Sequence, residues 1–379
     1  MSSAVSRKRQ RRVRRMAMLA VLVSALQLTS YSVCAEAPTD PRAVLRDARQ
    51  FLGKDAVKDD RFVRIGGIEQ WISVRGRHRD APILLFLHGG PAFTTIPNSY
   101  LYTAEWQEYF TVVQWDQRGA GKTFGRNPDL SASSLSIDRM LKDAEEVVAY
   151  LRKTYQCQKI VLVGHSWGSI LGLMLAQRHP DWFYAYVGVG QATDAHQSEA
   201  MGYQATLAAA IAAGDSEAVK ELRAIAPFPD QHDPTADLAH LATERKWLAK
   251  YGGAVWRTDQ AALDRAGLLS PDYTGTDWAD RSRGLDYSLG ALWPEITRVN
   301  LSTIRHIDCP VILLEGRHDL NVNAQLADRW LSQLTAPVKK LVWFEDSSHM
   351  VFEEEPGKTL VTLEREVLPL TRRKEGPAN

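Results

Sequence analysis

Ile160-Val161-Leu162-Val163-Gly164-His165-Ser166-Trp167-Gly168-Ser169 runs from an unbroken apolar stretch, through a turn bracketed by glycines, into a helix-forming segment. Four successive β-branched and leucine residues read as a strand buried on both faces, which calls for a mostly parallel sheet with helical layers on either side. The Gly-x-Ser-x-Gly turn that follows needs small residues around the serine because the chain reverses sharply there. It presents the Ser166 hydroxyl above the sheet at the amino terminus of a helix. A strand before and a helix after separate this motif from a chance pentapeptide, and Ser166 is the candidate nucleophile.

The same alternation spreads outward in both directions. Continuous apolar runs at 83–87, 112–115, 186–189 and 311–314, with a last strand at 340–344, alternate with helical patterns at 137–154, 169–178, 322–334 and 359–370. Segments 62–65 and 68–74, joined by Gly66-Gly67, read as an antiparallel hairpin at one edge. In the helix after Ser166, Gly168, Gly172 and Ala176 recur every four residues and make a smooth stripe for close approach to the sheet. The expected fold is therefore α/β, a mostly parallel central sheet flanked by helices.

Between 191 and 303 the alternation stops. This stretch is Ala-rich and helix-forming at 204–213, 216–226 and 235–251, with tryptophans at 247, 256, 278 and 293. An insertion here reads as a helical cap over the carboxyl ends of the strands, where open α/β sheets bind ligands. The expected organisation is a leader at 1–35, core at 36–190, cap at 191–303 and core again at 304–379.

A serine hydroxyl needs a base within hydrogen-bond reach. His349, just past the last strand, and Asp319, just past the strand at 311–314, supply the base and its orienting carboxylate in the order Ser, Asp, His. The oxyanion formed on the substrate needs amide donors: Trp167, the residue after the nucleophile, and Gly90, in the loop His88-Gly89-Gly90-Pro91. His88 reads as a structural support for that loop. His318, the other histidine beside Asp319, is expected to point away from it.

The first 35 residues carry seven basic residues and no acidic ones before a short apolar run, 16–26, and end in Val33-Cys34-Ala35. That is the three-part plan of a secretory signal peptide cleaved after Ala35, and eleven apolar residues fall short of the roughly 20 a spanning helix needs. The expected location is periplasmic or secreted, with no stable membrane insertion after cleavage. Of 46 basic residues, removing these seven leaves 39 against 45 acidic ones, near −6, which gives nucleic acid nothing to bind. Cys157 and Cys309 precede two core strands at the same end of the sheet. With a strand between them they lie roughly 9 to 10 Å apart, beyond disulfide reach.

His88-Gly89-Gly90-Pro91, Asp116-Gln117-Arg118-Gly119-Ala120-Gly121-Lys122-Thr123, Gly164-His165-Ser166-Trp167-Gly168-Ser169 and Gly316-Arg317-His318-Asp319 together resemble the proline iminopeptidase branch of the α/β-hydrolase fold, peptidase family S33. The resemblance covers 60–190 and 305–370. It implies the same catalytic residues Ser166, Asp319 and His349, the same oxyanion amides, and no metal or organic cofactor. Ala92 and His165 stand where that branch usually has glycine. In that family cap glutamates, one in a Trp-Glu pair, bind the free amino terminus of the substrate, and no Trp-Glu pair occurs between 191 and 303. Glu199, Glu221, Glu244 and Glu295 are expected on solvated helix faces, so the substrate-binding residues stay unassigned. The expectation is an exported serine hydrolase acting through an acyl-enzyme, an aminopeptidase on short peptides or arylamides. The alternatives are a carboxylesterase or lactonase on small esters and a non-catalytic binding protein using the same pocket. Ser166 excludes the carboxylate nucleophile of dehalogenases and epoxide hydrolases on this fold.

Overall fold

The central strands form where the sequence is most continuously apolar, as at 83–87 and 160–163. The computed structural model describes residues 40–230, 232 and 234–372, leaving aside the side chains of 234–236. The expected leader lies outside the described residues. The chain divides into two units, Met1–Ala48 and Arg49–Asn379. The described part of the first holds helix α1 (Pro41–Ala48).

The second unit is built on one eight-stranded sheet in the order β1-β2-β4-β3-β5-β6-β7-β8. Its strands are β1 (Val57–Ile65), β2 (Ile68–Gly76), β3 (Ile83–Leu87), β4 (Thr111–Trp115), β5 (Ile160–His165), β6 (Phe183–Val189), β7 (Val311–Gly316) and β8 (Lys339–Phe344). β1, β2 and β4 pair antiparallel, and every pair from β4 through β8 is parallel. The β1–β2 hairpin turns on Gly66 and Gly67, both at positive φ (56° and 83°), as a two-residue turn matched to strand twist demands. Every residue of β3, β4, β5 and β7 is buried.

The pleat divides those residues between two cores. Leu85, Leu87, Val113, Leu162 and Leu313 face Leu141, Val148, Leu171 and Trp330 on one side. Leu84, Phe86, Val161, Val163, Val187 and Ile312 face Tyr102, Trp106 and Phe352 on the other. Each fully buried side chain of this size contributes about 1.5–3 kcal/mol. The first layer carries α2 (Gly121–Arg126), α3 (Ile137–Thr154) and α4 (Trp167–Arg178). α4 sits so close to the sheet that a Cβ on Gly172 would lie 2.6 Å from the Tyr186 ring, which is the purpose of the small-residue stripe.

Helices α5 (Ala195–Ala212), α6 (Ser216–Ala224), α7 (Pro234–Lys250), α8 (Gln260–Gly267) and α9 (Asp277–Ile296) fill the insertion after β6. Asp194, Asp215 and Asp259 cap the amino termini of α5, α6 and α8 through their side chains. Tyr203, Leu222, Phe228, Leu241, Trp247 and Trp293 give this cap a core of its own. Its chain leaves and returns at one place: Asp194 and Asn300 form an antiparallel bridge, reinforced by Asn300 Nδ2 donating to Asp194 Oδ2 at 2.8 Å. Tyr273 of the cap donates its hydroxyl to the buried carboxylate of Asp116, just past β4, which also accepts from Thr94 Oγ1 and the Lys122 amide. After β7 come α10 (Ala324–Gln333) and, past β8, α11 (Val351–Glu354) and α12 (Pro356–Thr362). The sequence pattern at 359–370 reads as one helix. The structure breaks it with a π-helical segment, Leu363–Val367, ahead of Leu368–Thr371. Pro369 is the reason, since it offers no amide and crowds the carbonyl four residues earlier.

Cys157 and Cys309 form no disulfide among the described residues, and β6 lies between the strands they precede.

Candidate active site

Ser166 follows β5 with φ 54° and ψ −120°, a conformation that costs a non-glycine residue about 1–3 kcal/mol and is held by its surroundings. The neighbouring glycines make the turn possible. A Cβ on Gly164 would fall 2.5 Å from the Gly168 carbonyl oxygen, and one on Gly168 would fall 2.2 Å from that of Leu87. Ser169 Oγ donates to the Ser166 carbonyl at 2.6 Å and closes the turn.

Asp319 and His349 arrive on separate loops beyond β7 and β8, and the structure brings them together. His349 Nδ1 donates to Asp319 Oδ2 at 2.7 Å, while Oδ1 accepts the Val322 amide at 2.8 Å. Both carboxylate oxygens are thereby used, and a neutral imidazole held this way presents Nε2 as its acceptor. Ser166 and His349 line one cavity of about 490 Å³, together with Gly89, Gly90 and Trp167. The Ser166 hydroxyl makes no hydrogen bond among the described residues. Nucleophile–base bonds of this kind tighten when substrate binds.

The loop carrying Gly90 approaches Ser166 closely, since a Cβ on Gly89 would lie 3.1 Å from Ser166 Cβ. Gly90 itself sits at φ 115°. His88 is buried and supports this loop: its Nδ1 bonds the Gly89 carbonyl at 2.8 Å, and its Nε2 accepts the Gln117 amide at 3.2 Å. Burial pushes the His88 imidazole down to about 4, so it carries no charge at neutral pH. Gln117 then links the loop that carries Gly90 to the Trp167 side chain, because Nε2 donates to the His88 carbonyl and Oε1 accepts from Trp167 Nε1 at 3.0 Å. The sequence marks Gln117 only as part of a motif; its bridging role depends on contacts 29 and 50 residues away.

His165, a departure from the glycine usual in the resembling branch, supports His349. Its Nε2 donates to the His349 carbonyl at 3.1 Å, and the two rings lie 4.6 Å apart. Burial, and next the neighbouring His349, hold His165 well below the usual imidazole range. A neutral ring beside His349 adds no charge to oppose an imidazolium there.

The cap wall corrects the expectation for two of the four glutamates, while Glu295 is exposed as expected. Glu199 on α5 and Glu244 on α7 are not on solvated faces; they flank Arg245, with Arg245 Nη2 2.6 Å from Glu199 Oε1 and Nη1 bonded to Glu244. Two helix faces pack so that one guanidinium serves both acids, which removes them from water. Glu199 Oε2 and Glu244 Oε1 are buried without a hydrogen-bond partner among the described residues. Burial, and then the nearby Glu199, push the Glu244 carboxyl up to about 7 against the pull of Arg245. Glu199 and Arg245 line the same cavity as Ser166. Glu221 binds Lys246 and Trp247, and Glu295 accepts the Ile137 amide outside that cavity. The remaining walls are mostly apolar, Ile170, Leu241, Leu248, Leu289, Trp293 and Met350 among them. No cluster of three or more His, Cys, Asp or Glu side chains able to hold a metal occurs among the described residues.

A serine on a strained strand-to-helix turn, an imidazole oriented by a carboxylate and two candidate amides on one wall are the parts acyl transfer uses. Fold and site together define a hydrolase of the α/β class. Residues 84–363 match the alpha/beta hydrolase family. The chain is 33% identical over 307 residues to the probable aminopeptidase YbaC of Bacillus subtilis (strain 168), covering 79% of this chain and 93% of that one. It is 23% identical over 333 residues to the proline iminopeptidase of Neisseria gonorrhoeae, covering 81% and 96%. The crystal structure of a proline iminopeptidase-related protein from Thermus thermophilus superposes with a TM-score of 0.59 at 17% identity, over 81% of this chain and 96% of that one. The chain belongs to the alpha/beta hydrolase family.

Proposed function

We propose that the protein is an exported serine aminopeptidase that releases the amino-terminal residue of short peptides or arylamides through an acyl-enzyme on Ser166. The observation that carries this reading is Glu199: a carboxylate on the wall of the Ser166 cavity whose Oε2 has no hydrogen-bond partner among the described residues. A buried acceptor of that kind is satisfied by a cationic donor, and a substrate's free ammonium group is one. In this mechanism Ser166 Oγ attacks the substrate carbonyl and its proton passes to His349 Nε2. Gly90 and Trp167 amides hold the oxyanion. The tetrahedral intermediate collapses, the leaving amine departs with the proton from His349, and water attacks the acyl-enzyme with His349 again as base. Export rests on the basic and apolar leader.

A second reading, hydrolysis of small esters or lactones, draws on the apolar walls, which bind an acyl chain without any amine. One experiment separates the two. A fluorophosphonate probe should label the native protein and not Ser166→Ala; equal labelling of both removes the acyl-enzyme. Glu199→Gln should then raise KM for an aminoacyl arylamide about tenfold or more, the scale of a lost charged hydrogen bond. Hydrolysis of a p-nitrophenyl ester should change little. Equal effects on both substrates, or faster turnover of N-acetylated than of free substrate, would favour the ester reading.

A further inference from the structure

Past α7 the cap chain turns at Tyr251-Gly252 and runs from Gly253 to Trp256 across both loops that carry Asp319 and His349. The Leu320 amide donates to the Gly253 carbonyl at 3.2 Å, and the His349 amide donates to the Ala254 carbonyl at 3.1 Å. A Cβ on Gly253 would meet Leu320 Cβ at 2.7 Å, so the approach is tight. The Trp256 amide donates to Glu354 Oε1, and Glu354 Oε2 accepts the Ser348 amide at 2.8 Å. Val255 is buried in the core under the sheet, which pins the segment from below. Finally the Trp256 indole stacks on His318, next to Asp319, with ring centroids 3.7 Å apart and planes 8° from parallel.

His318 in turn locks the two loops to each other. Its amide donates to the Ser347 carbonyl at 3.1 Å, and its carbonyl accepts Ser348 Oγ at 3.0 Å. The 2.7 Å bond between His349 and Asp319 joins two loops that no strand pairing fixes in register. Past Gly316 and Phe344, where the β7–β8 pairing ends, the two loops are joined by this lock, by the Arg317–Glu345 ion pair at 2.7 Å, and by the cap segment lying over them. Misplacement of a catalytic group by about 1 Å costs on the order of 100-fold in rate.

We infer that Trp256 is a positioning residue: by stacking on His318 it clamps the cap segment 253–256 onto the Asp319 and His349 loops and holds the imidazole in line. The inference rests on the proposed role of His349 for its kinetic consequence, while its geometric content stands without it. The cap thus touches the bond-breaking residues as well as the substrate cavity, which Ala254 also lines.

The test reads the His349–Asp319 bond directly. Its shared proton gives a far-downfield proton NMR signal, assigned by its loss in His349→Gln. Wild type and Trp256→Phe should show the signal at one position, and Trp256→Ala should lose or shift it while far-UV circular dichroism stays native. In the same variant kcat on an aminoacyl arylamide should fall about tenfold or more with KM within about twofold, and Trp256→Phe should recover most of it. His318→Ala removes the other ring and should reproduce the loss, with the double variant no worse than either single one. A folded Trp256→Ala with the wild-type signal and wild-type kcat overturns the inference. If Trp256→Ala does not fold, His318→Ala decides by the same two readings. If wild type shows the signal but neither labels nor turns over, the acyl-enzyme reading falls and the signal alone judges the clamp.

Discussion

Ser166, Asp319 and His349 stand out in the sequence because each follows an apolar run, and a residue at a strand's carboxyl end has few places to go. Gly190 is equally constrained and is silent in the sequence. It sits at φ 53°, and a Cβ there would lie 3.1 Å from both Cε1 and Nδ1 of His349 and 3.3 Å from Asp319 Oδ2. The demand for glycine comes from side chains 129 and 159 positions further along, which no local pattern encodes. Gly190→Ala should therefore displace the imidazole and strain the backbone. We expect about a 10- to 100-fold loss of kcat and about 1–3 kcal/mol of stability. Steady-state kinetics and a thermal melt check both, and an unaltered kcat would show that the ring has room to move.

Elements were legible where burial on both faces leaves one reading, as in β3, β5 and β7. The hairpin was legible from its two glycines. What joins elements was not, and the Asp116 network is the case in point. Asp116, Thr94, Lys122 and Tyr273 fix the cap to the loop after β4, and burial raises the Asp116 carboxyl to about 6 against the pull of its Thr94, Tyr273 and Lys122 hydrogen bonds. A carboxyl with a raised native pKa holds a proton that the unfolded chain releases, so its contribution is present at low pH and fades as pH rises from about 4 through about 6. His88, pushed down to about 4, acts oppositely: the unfolded chain takes up a proton below its usual 6.5 and the native ring does not. Asp116→Asn leaves His88 unchanged and cancels it in the comparison. The amide can donate to Thr94 Oγ1 and accept from Lys122 and Tyr273. The melting temperature of Asp116→Asn relative to wild type should rise between pH 4 and 6 and level off above. A flat difference across that range would mean Asp116 titrates as it does in the unfolded chain.

At the scale of the whole chain the leader and the cap set the remaining questions. If 1–35 directs export, the protein recovered from the extracellular or periplasmic fraction should begin at Glu36 by intact mass. An intact leader on a membrane fraction would make it an anchor instead. The cap shows where sequence reading stops: its helices follow from composition, but the placing of Glu199 and Glu244 on either side of Arg245 depends on how α5 and α7 cross. The bridge between Asp194 and Asn300 has a meaning of another kind. Because the ends of the cap meet, its length between them puts no tension on β6 or β7, and what the core demands of it narrows to two moorings, Tyr273 on Asp116 and the segment 253–256 over the loops past β7 and β8. The bridge is a splice joint, at which a different jaw can be fitted to one cutting edge so long as it keeps those two moorings.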